Sequence, residues 1–266
     1  MIGAIIGDVI GSVYEFNNHR SKEFPLFQAS SDFTDDSVLT FATAKVLLDG
    51  GDYAATYQQF ARAYPHRGYG GRFSRWIKLD DPKPYDSFGN GSAMRIAPIG
   101  FAFADAETTL EEAKRSAEVT HNHPEGIKGA QAVALAIWMA RKGEGKAAIR
   151  HAIEKQFGYD LSRDCDFIRQ VNKFDETCQG SVPEAITCFL ESVDFEDCIR
   201  LSISIGGDSD TIACIAGGIA QAYYRDIPNW IITETKARLP QEFLEILDRF
   251  EERTFRDSSQ RPGQTL

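Results

Sequence analysis

Residues Ser204-Ile-Gly-Gly-Asp-Ser-Asp-Thr211 decide how this chain is read, because two carboxylates and a hydroxyl fall within four residues directly behind a glycine pair. Asp208, Asp210 and Thr211 all offer hard oxygen donors. Downstream, Ile212, Ile215, Ala216 and Ile219 recur at helical spacing, which places the acids in the first turn of a buried helix, against the positive end of its dipole. Alone, such a cluster is more often just a capped helix start. A second cluster far upstream, Phe33-Thr34-Asp35-Asp36-Ser37, has the same make-up and also opens an apolar run. If the two helix starts converge, four carboxylates and two threonines face one another, and burial of that much negative charge implies cations.

Working outward from these clusters, helical patterns account for most of the chain. Gly3, Gly7 and Gly11 recur every four residues among Ile5, Ile6, Val9 and Ile10, giving a helix with a smooth ridge at a cost of about 1 kcal/mol per glycine. Either another helix or a ligand approaches that ridge. Asp8 and Glu15, seven apart, are expected two turns along one face of this helix. Thr34 reads as the N-cap of a helix through Val38, Leu39, Ala42, Val46 and Leu47 that stops at Gly50-Gly51. Further helices are expected near 53–64, 107–119, 124–143, 147–157, 165–171, 183–191, 195–205, 229–238 and 241–255. Residues 201–205 also alternate like a strand, but are read as helix.

The segment 65–91 reads as irregular. It carries Arg67-Gly-Tyr-Gly-Gly71 and leads into Gly89-Asn-Gly-Ser-Ala-Met-Arg95, two glycine-rich loops able to present backbone N–H groups to an oxyanion. Neither has the spacing of a nucleoside-triphosphate loop or a dinucleotide fingerprint. His121 and His123 lack a matching set of Cys or His ligands, so helix capping or a ligand contact suits them better than zinc.

The sequence has 266 residues, enough for one substantial core, and a formal charge of -10. That charge argues against nucleic acid or an anionic membrane as partner. Five cysteines follow no zinc spacing and read as reduced thiols of a cytoplasmic protein. The first residues lack the basic start of a signal peptide. With no convincing strand signal, the expected fold is all-α, a single domain over 1–256 with a flexible tail over 257–266.

The motifs Gly3-Ala-x-x-Gly-Asp8, Thr34-Asp-Asp36, Arg67-Gly-Tyr-Gly70, Gly89-Asn-Gly-Ser-Ala-Met-Arg95, Thr120-His121 and Gly206-Gly-Asp-Ser-Asp-Thr-Ile212 occur together in this order. In this the chain resembles the ADP-ribosylglycohydrolases, which include the dinitrogenase reductase-activating glycohydrolases and the ADP-ribosyl-acceptor hydrolases. The resemblance implies a hydrolase that cleaves an N- or O-glycosyl bond between ADP-ribose and an acceptor, with two Mg²⁺ or Mn²⁺ at the base of a cleft. It implies Thr34, Asp35, Asp36, Asp208, Asp210 and Thr211 as metal ligands. Gly68, Tyr69, Gly70, Gly89, Asn90, Gly91, Ser92, Met94 and His121 are implied to contact the diphosphate and ribose. Glu15 resembles a mobile glutamate of some members, and it or Asp36 handles protons. The implied partners are ADP-ribose and its protein or small-molecule conjugates, acted on by a monomer. A non-catalytic ADP-ribose binder, or a crystallin-like structural protein of the same fold, is the alternative.

Overall fold

The computed structural model describes residues 1–259, and its regular elements are fifteen helices. They are α1 (Ile2–Gly11), α2 (Asp35–Asp49), α3 (Tyr53–Ala63), α4 (Gly71–Trp76), α5 (Gly91–Met94), α6 (Ala97–Ala102), α7 (Ala106–Glu118) and α8 (Pro124–Lys142), followed by α9 (Lys146–Phe157), α10 (Cys165–Val171), α11 (Cys178–Glu191), α12 (Phe195–Ser204), α13 (Ser209–Tyr224), α14 (Asn229–Lys236) and α15 (Gln241–Ser259). No strand occurs among the described residues, which form one compact all-α domain. A single isolated antiparallel bridge joins Gly89 to Thr177. No helix among the described residues is long and apolar enough to cross a membrane. Of the tail expected over 257–266, residues 257–259 belong to α15 and the rest lies outside the described residues.

Local chemistry sets the helix starts. The side chains of Thr34, Asp52, Asp105, His123, Asp164, Thr177 and Asp194 each accept a backbone N–H at the head of a helix. Gly143 and Gly158 end α8 and α9 in the left-handed conformation. Residues 201–205 belong to α12 and its C-cap rather than to a strand.

The glycine ridge packs against another helix. A Cβ on Gly3 would stand 2.3 Å from the Gly217 carbonyl oxygen, one on Gly7 2.0 Å from that of Ala213, and one on Gly11 2.4 Å from the Asp210 Cα. Rising numbers on α1 thus meet falling numbers on α13, so the two helices run antiparallel with backbones touching.

That contact builds the site. Gly11, at the C-terminal end of α1, rests on Ser209 and Asp210 at the N-terminus of α13. From the same end of α1, Asp8 accepts hydrogen bonds from the Thr34 amide (3.0 Å), the Thr34 hydroxyl (2.6 Å), the Ser37 amide (3.1 Å) and the Ser37 hydroxyl. One short helix therefore draws the two acid-bearing helix starts together.

Three expectations need correction. Helix α1 stops at Gly11, so Glu15 follows in a turn and does not share a helical face with Asp8. Segment 65–91 is not wholly irregular, because α4 lies within it, and the short α5 and α6 follow. Helix α11 begins at Cys178 rather than Pro183, with the Thr177 hydroxyl accepting from Gly180 N, and Pro183 lies inside it. Gly89 and Gly91 are not among the positive-φ glycines, and they serve clearance: a Cβ on either would stand within 3.6 Å of His121 Nε2.

Candidate metal centre and ligand cleft

A cleft opens above the meeting point of α2 and α13. Its base is acidic: Glu15, Asp35, Asp36, Asp208 and Asp210 all line it. Oxygens of Glu15, Asp208 and Asp210 lie within 4.8 Å of one another. The Thr211 hydroxyl donates to Asp36 Oδ1 across the gap between the two helices at 3.2 Å, whereas Asp36 Oδ2 is buried without a hydrogen-bond partner.

The electrostatics follow from the crowding. Burial first, then neighbouring acids, holds the carboxyls of Asp35, Asp36 and Asp210 well above the usual carboxylate range. Burial also raises Asp208, and it raises Asp8 in spite of the hydrogen bonds from Ser37 and Thr34. Glu15, only half-buried, is pushed up to about 7 by burial, with Asp208, Asp8 and Glu176 adding to the effect. Relief within the chain comes from neutral donors, the Thr211 hydroxyl and the Asn90 amide, which reaches Asp208 Oδ2 at 2.7 Å. An all-oxygen donor set with an orphaned carboxylate oxygen fits a hard divalent cation.

The Glu15 loop is fixed to the α13 turn. Asn18 donates to the carbonyls of Tyr14 (2.9 Å), Glu15 (3.0 Å) and Gly207 (2.8 Å), and accepts from Gly207 N at 2.8 Å. Arg20 extends this brace to the carbonyls of Arg169 (2.6 Å), Asn172 (2.7 Å) and Ile205 (2.8 Å). A swinging motion of the whole loop therefore has ties to break, and the freedom at Glu15 lies in its side chain. Gly206 and Gly207, with φ of 68° and 85°, make the turn that delivers Asp208.

The cleft walls come from the two glycine-rich loops. Gly68 and Gly70 border it, and a Cβ on Gly68 would stand 3.1 Å from Asp35 Oδ1. Opposite them, Gly89, Asn90, Gly91 and Met94 border it beside His121. The bridge to Thr177 ties this loop down, with Asn90 N donating to the Glu176 carbonyl at 2.7 Å.

Three of the expected site residues stand back from the lining. The Thr34 hydroxyl donates to Asp8 and accepts from Asp36 N. The Tyr69 hydroxyl donates to the Tyr64 carbonyl at 2.9 Å, and that of Ser92 to the Gly126 carbonyl at 2.7 Å. Conversely, Arg72, Tyr85, Ser87 and Glu176 line the cleft without having been singled out. They lie in the segment read as irregular and in the connection before α11, where periodicity gives no signal. His123 caps α8, whereas His121 faces the cleft.

Comparison with known proteins identifies the family. The family model for ADP-ribosylglycohydrolase matches residues 1–260. The chain belongs to the ADP-ribosylglycohydrolase family. Among curated relatives it is 29% identical to mouse (Mus musculus) ADP-ribosylhydrolase ARH3, across 84% of this chain and 82% of that protein. It is 25% identical to the ADP-ribosylarginine hydrolase Tri1 of Pseudomonas putida (strain GB-1), across 84% of this chain and 69% of the relative. A solved structure described as an ADP-ribosylglycohydrolase-related protein complex aligns with a TM-score of 0.65 at 25% identity, covering 96% of this chain and 92% of the other. As an ADP-ribosylglycohydrolase, the chain has its acid clusters and glycine loops placed around one cleft.

Proposed function

We propose that this ADP-ribosylglycohydrolase hydrolyses the glycosidic bond between ADP-ribose and an acceptor, a modified protein side chain or a related conjugate, with two Mg²⁺ or Mn²⁺. The observation that carries this reading is the juxtaposition, in one cleft, of an oxygen-only acidic base and glycine-bordered walls. Asp35, Asp36, Asp208, Asp210 and Thr211 would hold the cations, with Thr34 ordering the first of these segments. Divalent cations there supply positive charge and Lewis acidity.

The chain's own groups do the rest. Glu15, with a carboxyl poised near neutrality, takes and returns the proton as water adds and the acceptor departs. Asp36 keeps one oxygen on Thr211, and the other, without a partner in the chain, would serve a cation, so Asp36 would contribute charge more than proton transfer. Asn90 fixes Asp208 through its amide, and itself is anchored by donating to the Ser181 hydroxyl at 2.9 Å. The glycines at 89 and 91 let the diphosphate approach backbone and His121 without side chains in the way. Cleavage develops positive charge at the anomeric carbon, which the acidic base accommodates.

A panel of defined ADP-ribosyl conjugates, on arginine, serine, a nucleobase and an acyl group, tests the reading by release of free ADP-ribose under Mg²⁺. Release from at least one is expected. Tight ADP-ribose binding without release from any would instead assign the chain as a non-catalytic binder.

A further inference from the structure

Thr120 is fully buried, and its hydroxyl oxygen sits between two nitrogens: Arg95 Nη2 at 2.9 Å and His121 Nδ1 at 2.7 Å. A guanidinium has only donors, so the Thr120 oxygen accepts from Arg95. The hydroxyl proton then needs an acceptor, and the one within reach is His121 Nδ1. An imidazole nitrogen that accepts carries no proton, so in the neutral ring the proton is on Nε2. The ring stays neutral because burial, then the charges of Arg95 and Arg72, push its pKa well below the usual histidine value.

His121 Nε2 has no hydrogen-bond partner among the described residues, and His121 lines the cleft. Nε2 lies 3.2 Å from where a Cβ on Gly91 would stand and 3.6 Å from one on Gly89, so the glycines leave its approach open. Tyr85 flanks the ring at 6.1 Å between centroids. Arg95 is itself locked. Its guanidinium lies over the Tyr57 ring at 4.3 Å and donates to the Ser116 carbonyl at 3.0 Å, near the negative end of α7. Its Nε and Nη1 are buried without hydrogen-bond partners, so this charge is kept inside at an energetic cost that packing alone does not explain.

We infer that Arg95 and Thr120 are positioning residues, a relay that fixes His121 as the Nε2–H tautomer and turns that donor toward an acceptor oxygen of the bound ligand. The inference rests on the proposed ligand, an ADP-ribosyl conjugate, whose phosphate and ribose oxygens are acceptors. Arg95 borders the cleft but is fully buried, and the inference gives it a role through Thr120.

The test is the tautomer of His121, read by long-range ¹H–¹⁵N spectra of histidine-labelled protein without ligand, with the resonance assigned from His121→Gln. Wild type is expected to show a bare Nδ1 and a protonated Nε2 across about pH 6 to 8. In Thr120→Val the tautomers should mix, and ADP-ribose affinity by calorimetry should fall about five- to tenfold, the loss of one hydrogen bond. Thr120→Ser should restore both. Arg95→Met is expected to act in the same direction, and if it fails to fold, Thr120→Val alone decides. A protonated Nδ1 in wild type, or a Thr120→Val protein that keeps either its tautomer or its affinity, would overturn the relay. Failure of wild type to bind ADP-ribose would overturn the proposed ligand instead, and the ligand-free spectrum separates the two.

Discussion

Glu15 differs from the other acids at the cleft base in being half-buried and poised at about 7, whereas Asp35, Asp36 and Asp210 lie deeper in mutual repulsion. Glu15→Gln keeps its shape and removes the base. In saturating Mg²⁺ it should lower single-turnover rate about 10²- to 10⁴-fold with ADP-ribose still bound and without lowering the thermal midpoint. An unchanged rate would move proton transfer to Asp36 or a neighbour. Gly91→Val puts bulk against His121 Nε2 and should weaken ADP-ribose binding more than Mg²⁺ binding, both by calorimetry. The acids of these clusters were visible in sequence because hydroxyl and carboxylate residues opening apolar runs are a local pattern. Asn90 as the partner of Asp208, 118 residues away, was not, since a cross-chain hydrogen bond leaves no periodic trace.

The α1–α13 contact is the element on which site geometry depends. A Cβ at Gly7 would lie 2.0 Å from the Ala213 carbonyl oxygen, and backbone cannot step aside as a side-chain tip can. Gly7→Ala should therefore cost about 3 kcal/mol in denaturant unfolding and lower metal affinity, because it parts α1 from the start of α13. Gly71→Ala, with nothing within 4 Å of its added carbon, should stay within about 0.5 kcal/mol of wild type. The spacing of Gly3, Gly7 and Gly11 announced a close approach, but periodicity on one helix does not name its partner. The long helices α2, α8 and α13 were legible from their apolar repeats and caps. Helices α4, α5 and α6 have four to six residues, too short for a periodic signal, and only their packing against longer helices fixes them.

Across the whole molecule, the acid cluster links cation binding to stability. Its carboxyls titrate higher in the fold than in the unfolded chain, so over the range between the two values the folded state binds more protons. Without cations, stability is thus expected to fall as pH rises from about 5 through 7, where Glu15 ionises. Saturating Mg²⁺ should reverse that slope, because the ionised form is the one that holds the metal. Thermal midpoints against pH, with Mg²⁺ and with chelator, check this; parallel curves would contradict it. The most direct measurement is the rate of ADP-ribose release from a cleavable conjugate as Mg²⁺ is titrated into chelator-treated wild type and Asp208→Asn. Wild-type release should rise from nothing to saturation, with Asp208→Asn requiring far more Mg²⁺ or remaining inactive. Undiminished release in chelator, or an Asp208→Asn protein indistinguishable from wild type, would contradict a catalytic role for the acidic base of the cleft.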